Sequence, residues 1–267
     1  MIVNSPNPQP TNTQHSADAQ NLKSFWEHLD DVRTLILRLI AVVVVVSVVC
    51  FCCKELLFSL LLAPAQPDFV LYRLFSFLSF DIPEQPLSLI NTQMAGQLVA
   101  HLKVAISVGI VLSIPILLAI VATYLLPALY VPERRIFIPS LVCGSLLFYV
   151  GMAVAYFLVF PLAYRFLIDY SVAIEVDNMI TLQSYVDTLL ILIIAMGLLF
   201  ELPMVAFALG RLGIVNRGLM RQYRRHAVLI IVILAAIITP TTDALTLVLV
   251  SLPIIVLYEV SIFVVRK

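Results

Sequence analysis

Residues 104–126 read VAISVGIVLSIPILLAIVATYLL, and this uncharged stretch of 23 residues decides the fold class. A helix of about 20 apolar residues crosses about 30 Å of hydrocarbon, so the stretch predicts a transmembrane helix. Further apolar runs occur at 35–53, 137–160, 188–209, 227–239 and 245–264. The sequence therefore predicts an all-α integral membrane protein.

Composition supports this fold class. Hydrophobic residues make up 62% of the chain and charged residues only 12%, whereas soluble domains are about half apolar and about a quarter charged. The mean hydropathy is +1.06. The formal net charge is zero, which gives no indication of a nucleic-acid partner.

The last two apolar runs leave the number of spans open. Residues 227–239 would form only about 20 Å of helix, and the run at 245–264 is interrupted by Pro253 and carries Glu259. Either these runs form a short hairpin in a thinned bilayer, or the chain has five spans.

Lysine and arginine placement favours six spans with both ends in the cytoplasm. In that topology twelve basic residues lie inside and four lie outside, as the positive-inside rule requires. The inner residues are Lys23, Arg33, Arg38, Arg134, Arg135, Arg211, Arg217, Arg221, Arg224, Arg225, Arg266 and Lys267, and the outer residues are Lys54, Arg73, Lys103 and Arg165. Five spans would place Arg266 and Lys267 outside.

The segments flanking the spans have distinct compositions. Residues 1–22 are polar and contain no signal-peptide core, so they predict a disordered cytoplasmic tail ahead of a membrane domain at 23–267. Ser24 and Glu27 form a capping box that predicts the start of the first helix. The apolar stretch 69–80 is too short to span and predicts a segment along the outer interface or over the span ends. The four cysteines suit neither disulfides nor zinc and are expected to be buried thiols.

Two acidic sites, one on the first helix and one in the loop after the second span, are candidates for binding at the cytoplasmic side. Glu27 and Asp31 are four residues apart on the first turns of the first helix, with Arg33 nearby. Glu133 is the only acid in a cytoplasmic loop between predicted spans, and Arg134 and Arg135 follow it. Acids near a helix N-terminus also suit the helix dipole, so a structural role is the competing interpretation for both positions.

Glu201 is the strongest functional candidate inside the membrane. It lies ten residues before Arg211, which places it about 15 Å from the inner surface. A carboxylate at that depth is costly and indicates a functional role facing protein or water. Pro203 should interrupt the helix beside it. Glu259 is a weaker candidate, because it can reach the interface.

Enzyme motifs are missing from the sequence, which contains no P-loop, HExxH or GxSxG. The four histidines are scattered. The sequence therefore predicts binding or transport, without catalysis, a cofactor or a metal.

Five segments, taken together, resemble one family. They are FWEHLDDVR (25–33), PALYVPERR (127–135), GMAVAYFLVFP (151–161), FELPMVAFALGRLGIV (200–215) and TPTTD (239–243). They are similar, in the same order, to segments of the twin-arginine translocase subunit TatC, and the resemblance covers residues 25–264.

The resemblance implies a fold and a function. It implies six spans, N-in and C-in, with short fifth and sixth helices, in the bacterial cytoplasmic (inner) membrane. It also implies a receptor for twin-arginine signal peptides and a core subunit that exports folded proteins with the proton gradient. Asp31 and Glu133 match the two recognition acids of the family, and Glu201 matches its intramembrane glutamate.

The resemblance further implies partners and supporting residues. Single-span TatA- and TatB-type subunits, other copies of the chain and membrane lipid are the expected partners. The supporting positions are Glu27, Arg33, Arg134 and Arg135 for recognition, Tyr156, Pro203 and Glu259 for polar or partner contacts in the membrane, and Asp243 in the outer hairpin. The sequence departs from the family in having aspartate at 31, where glutamate is usual, and leucine at 247, where a polar residue is common.

Two other functions are compatible with parts of the sequence. A proton-coupled solute transporter would use Glu201 as a relay, but the chain has no repeat symmetry and no paired broken helices. An intramembrane hydrolase is disfavoured, since no nucleophile and base can be paired.

Overall fold

The structure is a computed structural model that describes part of the chain. It describes residues 13–69, 71–72, 89–128, 131–169, 179–211, 213, 215–239 and 244–265, without the side chains of 13–28, 128, 131–133, 135–136 and 169. Asp243 and most of the apolar stretch 69–80 lie outside the described residues.

The described chain is built from ten α-helices. They are α1 (Thr13–Cys52), α2 (Lys54–Leu62), α3 (Gly96–Leu125), α4 (Val131–Val154), α5 (Phe160–Asp169), α6 (Leu182–Phe200), α7 (Leu202–Arg211), α8 (Arg217–Gln222), α9 (Arg224–Ile238) and α10 (Ala244–Val264). A π-helical turn, Ala155–Val159, joins α4 to α5.

Five segments of the described chain are long and apolar enough to cross a membrane. They are Leu29–Cys52, Gly96–Leu125, Phe137–Ile168, Leu182–Arg211 and Ala244–Val264. The predicted fifth span corresponds to α9, whose 15 residues extend only about 22 Å. The prediction of an all-α, multi-pass membrane protein is confirmed, whereas the count of six depends on whether α9 also crosses.

The expectation of a short last helix is wrong. α10 has 21 residues and continues through Pro253 without interruption. A proline removes one backbone hydrogen bond from a helix. Here Val250 and Ile254 on either side are fully buried, and this packing holds the helix together.

The first helix begins earlier than the capping box predicts. α1 starts at Thr13 rather than at Ser24, so residues 13–22, which the sequence assigns to the tail, are helical. Residues 13–23 include alanine, glutamine, leucine and lysine, which favour helices, and Ser24 lies inside the helix rather than at its start.

The first span is docked mainly on α3. Their closest approach is at Gly109, where an added Cβ would lie 2.2 Å from Oγ of Ser47 and 2.7 Å from its Cα. Only 11% of the first span is buried within the chain, less than any other candidate span. The position of α1 therefore depends on this one contact face.

Glycines also allow α4 and α6 to pack closely. A Cβ on Gly151 would lie 2.6 Å from the carbonyl oxygen of Met196 and from Cγ of Phe200. From the other helix, a Cβ on Gly197 would lie 2.8 Å from the ring of Phe148. Since side chains at these positions would force the backbones apart, the two glycines set the spacing of the helices.

Part of the apolar stretch 69–80 packs over the end of a span. Phe69, Leu71 and Tyr72 form a buried cluster with Tyr156. The Tyr72 hydroxyl donates to the carbonyl of Pro161 at 3.3 Å. For these residues the second of the two predicted placements is confirmed.

All four cysteines are free thiols. Cys50 is buried as expected, but Cys52, Cys53 and Cys143 are exposed, so the expectation of buried thiols is wrong for these three. These three residues lie on the outer surface of the bundle, where an apolar environment is provided by lipid rather than by protein.

Candidate functional site

A polar cavity between α1 and α3 contains the predicted recognition residue Asp31. Its volume is about 290 Å³, and it is lined by Asp31, Thr34, Leu35, Arg38, Ile120, Thr123 and Tyr124. Residues three or four apart share a helix face, which explains why these residues of each helix line one cavity. We call it the Asp31 cavity.

The Asp31 cavity has one acidic and one basic side chain. Asp31 and Arg38 are seven residues apart on α1, or about 10 Å along its axis. Both are exposed, and neither makes an ion pair or a hydrogen bond within the described part of the chain. Because Arg38 follows Asp31 into the apolar run, the cavity is negative at its mouth and positive towards the membrane.

Two threonines add hydrogen-bond acceptors to the Asp31 cavity. Thr34 donates its hydroxyl to the carbonyl of Asp30 at 2.8 Å. Thr123 donates in the same way to Ala119 at 2.9 Å and Ile120 at 2.8 Å. A hydroxyl has one proton and two lone pairs, so both oxygens can only accept from a ligand. The mouth of the cavity is thus suited to a cationic donor.

Glu133 lies at the same end of α3 as the Asp31 cavity. Its backbone is in the first turn of α4, and the neighbouring Arg134 donates Nε to the carbonyl of Leu126 at 2.7 Å. This bond closes the short connection from α3 to α4. The side chains of Glu133 and Arg135 lie outside the described residues.

Two further predicted recognition residues, Arg33 and Glu27, lie on α1. Arg33 is exposed and its side chain does not line the Asp31 cavity. Glu27 lies one turn before Asp31 in the same helix, and its side chain is outside the described residues. The structure therefore brings Asp31, but not Arg33, into the cavity.

Glu201 lies at an interruption of the fourth span. α6 ends at Phe200 and α7 begins at Leu202, and the Glu201 N–H bonds to the carbonyl of Leu198 at 3.2 Å in a tighter turn. Pro203 is buried in the first turn of α7. Since proline has no N–H to donate to Leu199, the predicted interruption is confirmed together with its cause.

The Glu201 side chain lies against a glycine of the third span. A Cβ on Gly144 would be 2.8 Å from Oε2 and 3.3 Å from Oε1 of Glu201. The carboxylate has no hydrogen-bond partner within the described residues. Gly144 is thirteen residues into α4, or about 20 Å from its start, so Glu201 is a second candidate position, separate from the Asp31 cavity.

Tyr156 and Glu259 make contacts within the chain. The Tyr156 hydroxyl donates to the carbonyl of Leu60, which joins α2 to the third span. Glu259 forms an ion pair with Nε of Arg224. Beside it, the Tyr258 hydroxyl donates to the carbonyl of Met220 at 2.9 Å. The hydrogen bond thus connects this end of α10 to α8, and the ion pair connects it to α9.

Several residues of both sites are not evident from the sequence. Thr34, Arg38 and Thr123 enter the Asp31 cavity because two helices face each other, and Gly144 contacts Glu201 across a helix pair. Helical spacing from Asp31 points to Thr34 and Arg38, but no sequence signal pairs them with Thr123. Gly144 and Gly151 are seven residues apart, a spacing that indicates one packed helix face.

The fold and sequence match known proteins. The family model described as Sec-independent protein translocase protein (TatC) matches residues 27–253. The Sec-independent protein translocase protein TatC of Koribacter versatilis (strain Ellin345) is 32% identical over 247 residues, covering 92% of this chain and 86% of its own. A crystal structure of the twin arginine translocase receptor TatC superimposes with a TM-score of 0.69 at 30% identity, covering 89% of this chain and 97% of that one. A second, in DDM, gives a TM-score of 0.73 at 28% identity, covering 90% of this chain and 100% of that one.

Proposed function

Because this chain belongs to the TatC family of Sec-independent protein translocase proteins, which are membrane components of protein transport, we propose that it is the signal-peptide receptor and core subunit of a twin-arginine translocase. The observation that carries the proposal is the Asp31 cavity, where an unpaired carboxylate and the acceptor oxygens of Thr34 on α1 and Thr123 on α3 line one space. A guanidinium carries five N–H donors and no acceptor, which suits this arrangement.

Recognition uses two carboxylates for two arginines. Asp31 and Glu133 each accept charge-assisted hydrogen bonds from one guanidinium of the signal, and Glu27, Arg33, Arg134 and Arg135 support this surface. An exposed ion pair contributes at most about 1 kcal/mol. Specific binding therefore requires both pairs together, in the partly desolvated region at the membrane surface. Lysine does not reproduce the planar fork of arginine.

The proposed topology has six spans with both termini in the cytoplasm. It makes α9 the fifth span, and its 15 residues require the bilayer to thin locally. The excess of basic residues on the cytoplasmic side supports this arrangement. It places residues 1–22 in the cytoplasm, Asp243 in an outer hairpin and the chain in the bacterial cytoplasmic membrane.

Glu201 provides a polar contact for a partner inside the membrane. Its carboxylate lies at the break between α6 and α7 and has no hydrogen-bond partner within the described residues. A polar residue in hydrocarbon gains from a partner's hydrogen bond. We assign this contact to a TatA- or TatB-type single-span subunit or to another copy of the chain, with transport driven by the proton gradient.

The proposed function is tested by deleting the gene and fractionating cells that express a folded reporter with a twin-arginine signal. The reporter should remain in the cytoplasm after deletion and return to the export fraction when the gene is restored. A reporter with two lysines in place of the arginines is the matched control and should stay cytoplasmic throughout. Export of the arginine reporter without the gene would rule out the proposal.

Gly144→Ala should separate the function of Glu201 from the stability of the fold. The new Cβ would lie 2.8 Å from Oε2 of Glu201, so the flexible carboxylate must rotate away while the helices stay packed. Alanine also favours a helix over glycine by roughly 0.5–1 kcal/mol. We expect a thermal midpoint in detergent that is equal to or slightly above that of the wild type, and export lowered towards that of Glu201→Gln, which should be inactive.

The matched control for Gly144→Ala is Cys143→Val on the exposed side of the same helix, which should export normally. If Gly144→Ala exports at the wild-type level while Glu201→Gln is inactive, then the position of the carboxylate against Gly144 is not required.

A further inference from the structure

The two opposite charges of the Asp31 cavity are not paired with each other. Asp31 and Arg38 line the same cavity, yet neither has an ionic partner within the described part of the chain. A signal arginine would use Asp31 and leave Arg38 unused. The arrangement is therefore complementary to a zwitterionic ligand, which has both a cationic and an anionic group.

The depth of each charge indicates the order of the groups in that ligand. Arg38 is the fourth residue of the apolar run at 35–53, so its long side chain can extend to lipid phosphates at the interface, and arginine binds phosphate through its planar fork. Asp31 is about 10 Å further out along the helix axis. The ligand thus has its anion towards the membrane and its cation towards the solvent.

The acceptors near Asp31 indicate the kind of cation. A primary ammonium has three N–H donors. The Asp31 carboxylate and the hydroxyl oxygens of Thr34 and Thr123, whose own protons are committed to backbone carbonyls, provide three acceptors. A quaternary ammonium has no N–H and gains nothing from the threonines.

We propose that the Asp31 cavity binds the headgroup of a phospholipid with a primary ammonium, of the phosphatidylethanolamine type. Its phosphate contacts Arg38, and its ammonium contacts Asp31, Thr34 and Thr123. This proposal rests on the proposed function: the lipid occupies the receptor in the absence of a signal peptide, and a signal arginine displaces the lipid ammonium from Asp31.

The lipid site is tested by native mass spectrometry of the full chain in detergent with equimolar phosphatidylethanolamine and phosphatidylcholine of identical acyl chains. The wild type should retain the ethanolamine lipid at least about tenfold better, as expected for the loss of charge-assisted hydrogen bonds. Equal retention of the two lipids would overturn the proposal.

Substitutions distinguish the two ends of the headgroup. Asp31→Asn and Thr123→Val should reduce the preference for the ethanolamine lipid, with little effect on phosphatidylcholine. Arg38→Gln should weaken both lipids about tenfold and keep the preference, since both carry the phosphate. Arg225→Gln, which removes an exposed arginine outside the cavity, is the matched control and should change neither. An equal loss with Arg38→Gln and Arg225→Gln would overturn the site.

Two further measurements test whether the ligand comes from the membrane and whether lipid and signal peptide share the cavity. Soluble phosphoethanolamine should compete far less well than the lipid, and equal competition would overturn the assignment to the membrane. A twin-arginine peptide should displace the ethanolamine lipid, and binding without displacement would overturn the shared site. The comparison of lipids uses no peptide, so it tests the lipid site alone. Failure of the proposed receptor function would be detected separately, in the export of the twin-arginine reporter.

Discussion

Gly109→Leu is expected to detach the first span and to eliminate binding of a twin-arginine signal peptide. At this position even a Cβ would lie 2.2 Å from Oγ and 2.7 Å from Cα of Ser47. The second distance is to backbone, which no rotamer change relieves. The helices must therefore move apart along the face that forms the Asp31 cavity.

The expected effect of Gly109→Leu is large because α1 has little other support. The first span is only 11% buried within the chain and packs mainly on α3. Overpacking typically costs 1–3 kcal/mol, and separation of α1 also loses the shared lining of the cavity. We expect a lower thermal midpoint in detergent and loss of photocrosslinking to a twin-arginine peptide.

The matched control for Gly109→Leu is Ala119→Leu, an exposed small residue of the same helix. It should retain the wild-type midpoint and crosslinking. If Gly109→Leu also retained both, the close approach of α1 and α3 would not be what forms the receptor site.

The spans were predictable because the signal for them is local. A run such as 104–126 is apolar regardless of its neighbours, and no other element is needed to place it in lipid. The interruption at Glu201 was predictable for the same reason, since Pro203 acts on its own helix. Asp31, Glu133 and Glu201 stood out because charges are rare in this composition.

The helix pairs were not predictable, because the partners are far apart in sequence. Gly109 contacts Ser47, and Gly144 contacts Glu201. Hydrophobicity does not identify such pairs, because lipid-facing and protein-facing residues are equally apolar. Helix packing in a membrane depends on small residues and close approach rather than on hydrophobicity. For the same reason composition did not predict which cysteines are exposed. The sequence also did not show that the hydroxyl oxygens of Thr34 and Thr123 are brought together as acceptors in one cavity.

Glu133→Lys is expected to abolish photocrosslinking of a twin-arginine signal peptide while the fold is retained. Glu133 lies in the first turn of α4, next to the bond between Arg134 and Leu126 that closes the connection from α3. Reversal of its charge replaces a charge-assisted pair by repulsion between two cations. The loss of about 3 kcal/mol corresponds to at least about a hundredfold in affinity.

A charge reversal at Asp30, next to the other recognition residue Asp31, distinguishes specific recognition by Glu133 from general electrostatic attraction. Asp30→Lys makes the same charge change beside Asp31, at an exposed residue that does not line the Asp31 cavity. It should lower crosslinking only modestly, and the effect should fade with added salt. If Asp30→Lys abolished crosslinking as completely as Glu133→Lys, the peptide would be attracted by the acidity of the surface as a whole. If Glu133→Lys left crosslinking intact, recognition by two specific carboxylates would be wrong.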